Sequence, residues 1–337
     1  MMGGGYSAPA IKKSVHYAAF EAALPSMQGK NVLITGCTSG TGFIAARAMA
    51  KKGAHVVMLN RRSDRSEAAL KTLKDEFKNA KITGIDCDLM DLSSVQKAAD
   101  AVKQQFPEGI DVLCNNAGIM ADEDKATKDG YDTQMQTNHL SHFLLTKELI
   151  TLLNKAANSK GEARVVNHSS GARSFPSSPL QAKYLGKNGG NLGGNGSSML
   201  FGGARWQRYH QTKLANAVFT MALHDRLQAA GSRVKSLCAA PGLAATNLQV
   251  TTNSTGGMGG SWIASFLMRF SQSAEDGTMP LLRCIAAPDA QSGDFYEPRG
   301  GMTGLAEKKP LEKLCTDPAA KALLWEESGK AVGMFEL

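Results

Sequence analysis

The 337-residue chain lacks any apolar run approaching the ~20 residues that a bilayer-spanning helix needs; Trp262 to Met268, stopped by Arg269, shows how charge interrupts its longer apolar stretches. A membrane-spanning protein is therefore not expected. Its six cysteines (Cys37, Cys87, Cys114, Cys238, Cys284 and Cys315) include no C-x-x-C pair, so neither a zinc site nor a dithiol redox motif is signalled. Buried thiols in a reducing compartment fit best. Lys and Arg (38) outnumber Asp and Glu (30) to give a net charge of +8, yet no run of about five or six basic residues exists, which argues against a nucleic-acid partner. The surplus reads as a mildly basic surface, with a phosphorylated ligand as one specific use.

What is present is the composition of a globular protein: 42% hydrophobic residues, 20% charged and a mean hydropathy of −0.22. Length alone suggests about two domains. The pattern suggests one, spanning 30–337, with an N-terminal extension at 1–29, an insertion at 174–203 and a substrate-side lid and C-terminal cap at 251–337. Residues 1–29 lack the continuous apolar core of a secretory signal. Residues 10–24 carry Lys12, Lys13 and His16 against Glu21 alone, which leaves organelle targeting open beside a short helix packed on the domain. A cytoplasmic, intracellular location is otherwise expected.

From Lys30 onward, short β-branched and apolar runs alternate with longer amphipathic segments. The runs are Asn31–Thr35, His55–Leu59, Lys81–Asp86, Asp111–Cys114, Arg164–Asn167 and Val234–Ala239, with helices expected over Phe43–Lys52, Arg65–Lys78 and Ser94–Phe106. Such alternation predicts an α/β fold: a single Rossmann-type, doubly wound parallel sheet of about seven strands with helices on both faces. Its ligand would lie beyond the carboxyl ends of the strands. Ser174–Gly203, rich in Gly, Asn and Ser, predicts a surface insertion. Thr251–Gly260 followed by apolar Trp262–Met268 suits a lid over an apolar substrate as well as an ordinary loop and core helix.

The first strand runs into Thr35-Gly36-Cys37-Thr38-Ser39-Gly40-Thr41-Gly42 and then a helix. Here glycines let the backbone approach a pyrophosphate, and the helix N-terminus supplies free N–H groups. Gly36, Thr38, Ser39, Gly40, Thr41 and Gly42 are therefore candidate cofactor residues. The second strand ends in Leu59-Asn60-Arg61-Arg62, with no carboxylate to hold a ribose 2′-hydroxyl; a guanidinium there favours a 2′-phosphate, hence NADP(H) over NAD, with Arg61 as its main ligand. Asp88 and Leu89, after the third strand, would flank the adenine.

Tyr209 and Lys213 are four residues apart, on one face of a helix, where an ammonium would lower the phenol pKa and make it a general acid/base. Together with Asn115-Asn116-Ala117-Gly118, Ser169-Ser170 and Pro241-Gly242 followed by Thr246, this pattern resembles the short-chain dehydrogenase/reductase family over about Lys30 to Leu248. Thr137–Thr146, Lys213-Leu214-Ala215-Asn216 and Trp325–Lys330 resemble its retinol dehydrogenase and protochlorophyllide reductase branch. The resemblance implies Tyr209 as proton donor, Ser170 as hydrogen-bond donor to the same substrate oxygen, Lys213 as ribose ligand and Asn138 as support for a water-linked proton path. It also implies that Asn116, Ala117 and Gly118 line the cofactor and that Pro241, Gly242 and Thr246 flank its nicotinamide end.

The activity implied is carbonyl or alcohol hydride transfer on a small hydrophobic substrate of retinoid, steroid or long-chain aldehyde type. A light-dependent pigment reductase is the alternative, weakened because Leu214-Ala215-Asn216 lacks the cysteine usual there; a non-catalytic NADPH-sensing scaffold is another. Peripheral membrane contact and a homodimer through the helix around Arg205–Ala230 stay open. No metal is expected: His139 and His142 lie at i, i+3 but no third ligand is evident. His168 lies where a nucleophile elbow needs glycine, two residues before Ser170, and His210 points about 100° away from Tyr209, toward packing.

Overall fold

A computed structural model of the chain describes residues 12–176, 178–197, 202–244, 252 and 271–337. The strands are β1 (Asn31–Thr35), β2 (His55–Asn60), β3 (Ile82–Asp86), β4 (Val112–Asn115), β5 (Ala163–His168), β6 (Val234–Ala239), β7 (Phe295–Pro298) and β8 (Ala306–Lys309). They form one sheet in the order β3-β2-β1-β4-β5-β6-β7-β8, parallel except for the antiparallel β7–β8 pair. The helices are α1 (Tyr17–Ala23), α2 (Gly40–Lys51), α3 (Asp64–Glu76), α4 (Leu92–Gln105), α5 (Thr133–Met135), α6 (Ser141–Lys160), α7 (Ala204–Ala229), α8 (Ala274–Ala286), α9 (Lys313–Thr316) and α10 (Pro318–Val332).

Six of these strands match the sequence runs; β7 and β8 do not, and β8, Ala-Glu-Lys-Lys, has no apolar alternation to betray it because it is a partly exposed edge rich in charge. Central strands are buried on both faces, as parallel sheets require. Leu33, Val57, Leu113 and Val165 face the layer of α4, α6 and α7. Val32, Val56, Val112 and Val166 face the layer of α2 and α8.

Helix starts follow local chemistry. Ser63 and Ser66 form a reciprocal capping box on α3, Asp91 caps α4, Ser273 caps α8, and Asp317 with Pro318 opens α10. The N-terminal segment is tied down by Asp276 in α8. Its carboxylate accepts from the backbone N–H groups of Val15 (2.8 Å), His16 (3.0 Å) and Tyr17 (2.9 Å) and from the Ser14 hydroxyl (2.9 Å). Residues 12–24 are therefore docked on the domain; residues 1–11 lie outside those described.

At the other end, α10 covers α6 and α7. Trp325 stacks on Phe335 (4.9 Å), meets Phe143 edge-on (5.2 Å) and lies under the Arg226 guanidinium (3.9 Å). Within the 174–203 insertion, Leu180, Tyr184 and Leu185 are buried in the same core. Arg208, 1% exposed, holds the following stretch: it donates to the carbonyls of Gly194 (2.9 Å), Leu192 (3.3 Å) and Asp122 (3.1 Å) and pairs with Asp124 and Asp132. Of the 251–268 lid segment only Thr252 is described, its hydroxyl donating to the Met120 carbonyl (3.0 Å).

Candidate active site

The sheet order reverses between β1 and β4, and the turns after these two strands meet there. Gly36 takes φ 73°, a left-handed conformation, and a Cβ on it would lie 2.8 Å from the Ala117 Cβ. Asn60 Oδ1 accepts from the Cys37 N–H (2.7 Å), bracing the turn from β2. Asn116 locks it from β4: its Nδ2 donates to the Thr35 carbonyl (2.8 Å), and its Oδ1 accepts from the Thr41 hydroxyl (3.0 Å) and pairs with His168 Nδ1 (2.8 Å). Ser39 stands at the N-cap of α2 but makes no side-chain cap bond, and the first turn carries no acid. This leaves the positive end of the α2 dipole without a side-chain cap or an acidic partner.

Arg61 and Arg62 are both exposed at the end of β2, and neither guanidinium is in an ion pair among the described residues. Asp88 is partly turned inward: its Oδ1 accepts from the Met90 N–H (3.0 Å). Leu89 is buried, and its carbonyl accepts from Ser141 Oγ (2.7 Å). Gly118 lies beside the catalytic candidates, for a Cβ there would approach Asn138 Oδ1 (3.1 Å) and Lys213 Nζ (3.4 Å).

Tyr209 is 4% exposed, in an apolar cluster with Ala121, Ala172 and Trp206, with Met120 packed against it. Burial pushes its phenol up to about 12, while a hydrogen bond with the Ser170 side chain pulls it down. Lys213 Nζ lies 5.8 Å from the Tyr209 ring centroid and donates to the His168 carbonyl (3.1 Å). Desolvation brings Lys213 down to about 8. At neutral pH Tyr209 therefore holds its proton.

Asn138 sits in a π-helical turn, Gln136–Leu140, between α5 and α6. Its amide is fully engaged: Nδ2 donates to the Ile119 carbonyl (2.9 Å) and to Thr212 Oγ1 (2.9 Å), and Oδ1 accepts from the Ile119 N–H (2.8 Å). Its backbone carbonyl meets His142 Nδ1 (3.0 Å), whose other nitrogen meets Thr35 Oγ1 (2.9 Å). His139 pairs with Ser328 Oγ (2.9 Å). Both imidazoles are thus packing partners, and no metal-ligating cluster occurs among the described residues. His210 stacks on Phe175 (5.1 Å).

Pro241 and Gly242 close the site from β6. The Pro241 carbonyl accepts from Gln272 Nε2 (2.9 Å), and Gly242, at φ 65°, packs so closely on the β7–β8 hairpin that a Cβ would lie 2.4 Å from the Met302 carbonyl. Thr246 lies outside the described residues. Sequence reasoning misses Asn60, His142 and Gln272 as contributors to the site. Asn60 has a local signal, since it occupies the strand end where an acid would mark NAD, whereas Gln272 and Met302 reach the site only through tertiary packing.

The fold and this site define a dinucleotide-dependent oxidoreductase. A family model for short chain dehydrogenase matches residues 30–186. The chain is 32% identical to the short-chain dehydrogenase/reductase drtF of Aspergillus calidoustus, over 94% of this chain and 97% of that protein. It is 29% identical to human retinol dehydrogenase 13, over 92% and 86% respectively. A crystal structure of a Mycobacterium paratuberculosis protein, 32% identical, superposes with a TM-score of 0.72 over 94% of this chain and 98% of that one. The chain belongs to the short-chain dehydrogenase/reductase family, in its retinol dehydrogenase-like branch.

Proposed function

We propose that the chain is an NADP(H)-dependent carbonyl reductase or alcohol dehydrogenase for an apolar substrate of retinoid, steroid or long-chain aldehyde type. The observation that carries this reading is Tyr209, buried in an apolar cluster with Trp206 and Ala172 and hydrogen-bonded with the Ser170 side chain. The residues fit the cofactor: an α2 N-terminus without a side-chain cap for its pyrophosphate, and Arg61 and Arg62, outside any ion pair among the described residues, for a 2′-phosphate. The buried Lys213 ammonium, beside Gly118 and the His168 carbonyl, suits a ribose. Bound NADPH supplies the hydride.

Everything else falls to the chain. Met120, Ala172 and Trp206 exclude water and receive the apolar body of the substrate. Ser170 donates a hydrogen bond to the substrate oxygen, an interaction that strengthens as negative charge gathers there. Tyr209 delivers its proton from Oη to that oxygen, and Lys213 offsets the charge left on the phenolate. In the reverse direction Tyr209 takes the proton back, which needs alkaline pH because burial disfavours the phenolate.

The test is NADPH oxidation, followed by the nicotinamide absorbance, with retinoid, steroid and long-chain aldehydes. Tyr209→Phe should abolish turnover while leaving NADPH binding intact. Turnover undiminished in that variant removes the mechanism. NADPH binding without turnover of any carbonyl would move the protein to a sensing role.

A further inference from the structure

Three residues after Ser170, Arg173 is 3% exposed and fully charged, an expensive group to bury unless it is put to use. Its Nε and Nη2 grip both oxygens of Glu312 (3.0 and 2.9 Å), Nη2 also reaches Glu297 (3.2 Å), and its plane lies 4.1 Å from the centre of the Phe295 ring. The remaining nitrogen, Nη1, donates to the backbone carbonyl of Ser170 (3.0 Å), which also accepts from the Arg173 N–H (3.1 Å). Phe295 and Glu297 belong to β7, and Glu312 precedes α9. The C-terminal part of the chain therefore reaches the loop after β5 through one guanidinium.

That loop needs holding. Gly171–Ser174 makes a single 3-10 turn with Ser170 as its N-cap, Gly171 and Ser174 are exposed, and the Ser170 hydroxyl must serve both the Ala172 N–H (3.2 Å) and the Tyr209 phenol. A rotation of the Ser170 peptide would carry its Oγ away from the reacting oxygen, and displacements of an ångström or less are enough to weaken transition-state contacts.

We propose that Arg173 is a positioning residue, clamped by Glu297 and Glu312, that fixes the Ser170 peptide so that its hydroxyl faces Tyr209 and the substrate oxygen. This rests on the hydride-transfer reading above. Lysine at this position keeps the charge but cannot bind a carboxylate bidentately and reach the Ser170 carbonyl at once.

The experiment is a double-mutant cycle of Ser170→Ala and Arg173→Lys, with Glu312→Gln as a second route should Arg173→Lys not fold. It is read as kcat and KM with NADPH and the best carbonyl substrate. Arg173→Lys should lower kcat roughly tenfold with little change in KM for NADPH, because the Ser170 hydrogen bond it misaligns does not touch the cofactor and strengthens toward the transition state. In the Ser170→Ala background the same change should cost less than about twofold, since no hydroxyl remains to position. Losses that multiply, or a change confined to KM, overturn the positioning role. A Ser170→Ala enzyme with undiminished kcat overturns the site reading itself, independently of Arg173.

Discussion

Gly42→Ala is the sharpest test of the phosphate turn. Gly42 is in the first turn of α2, and its backbone is helical, so conformational strain does not enter; the whole effect is steric. A Cβ there would sit 2.2 Å from the Gly36 carbonyl oxygen and 2.4 Å from Asn116 Nδ2. Neither neighbour is free to retreat. Asn116 is committed to the Thr35 carbonyl, the Thr41 hydroxyl and His168, and Gly36 is wedged against Ala117. Relief requires a shift of about 1 Å in a close-packed turn, which breaks two or three of these hydrogen bonds at about 1 kcal/mol each, more where a buried group loses its partner. The expected loss is about 2–4 kcal/mol of stability, together with an NADPH affinity weakened at least about a hundredfold because the N–H groups of the turn no longer converge. Urea denaturation gives the first quantity and quenching of protein fluorescence by NADPH the second. An alanine variant with the parent's midpoint and affinity would refute the close approach of the two turns.

Other consequences can be checked separately. Arg61→Glu, placing a carboxylate at the end of β2, should raise KM for NADPH about ten- to a hundredfold and improve the use of NADH; unchanged preference would assign the 2′-phosphate elsewhere. Burial lowers His139 and His168 to about 3 and His142 to about 4, so the unfolded chain binds more protons between these values and 6.5. Stability should therefore fall as pH drops below about 6.5, on the order of 2 kcal/mol per histidine by pH 5. Asp132, raised to about 6 by burial, works the other way: it stabilises as pH falls through 6 but offsets only part of the loss. A urea midpoint at pH 5 equal to that at pH 7 would sink this account. Trp325→Ala should cost about 3–5 kcal/mol in denaturation while activity per folded molecule stays near that of the parent; a selective loss of activity would mean that α10 acts on the site.

The sheet's first six strands and the Gly-rich turn are readable in the sequence because their signals are local: β-branched runs, 3.6-residue periodicity and glycines between a strand and a helix. The β7–β8 pair is not, since Phe-Tyr-Glu-Pro and Ala-Glu-Lys-Lys carry little alternation and are strands only because β6 and each other supply hydrogen bonds. The site shows the same division. Tyr209 and Lys213 declare themselves by spacing, but the burial of Tyr209 does not, because Trp206 and Ala172 close around the ring only through tertiary packing. Arg173 resembles an ordinary loop arginine in the sequence because its carboxylate partners are more than a hundred residues away along the chain.

The Asp276 carboxylate that gathers the N–H groups of residues 15–17 has a consequence for how the molecule is made. About 260 residues separate the two ends of this contact. At about 5–20 residues per second, a ribosome takes on the order of tens of seconds to supply the aspartate after the tyrosine has been made. During that interval the backbone N–H groups of Val15 and His16 lack their carboxylate acceptor. The docking of residues 15–17 therefore reports that α8 has reached its place against α2.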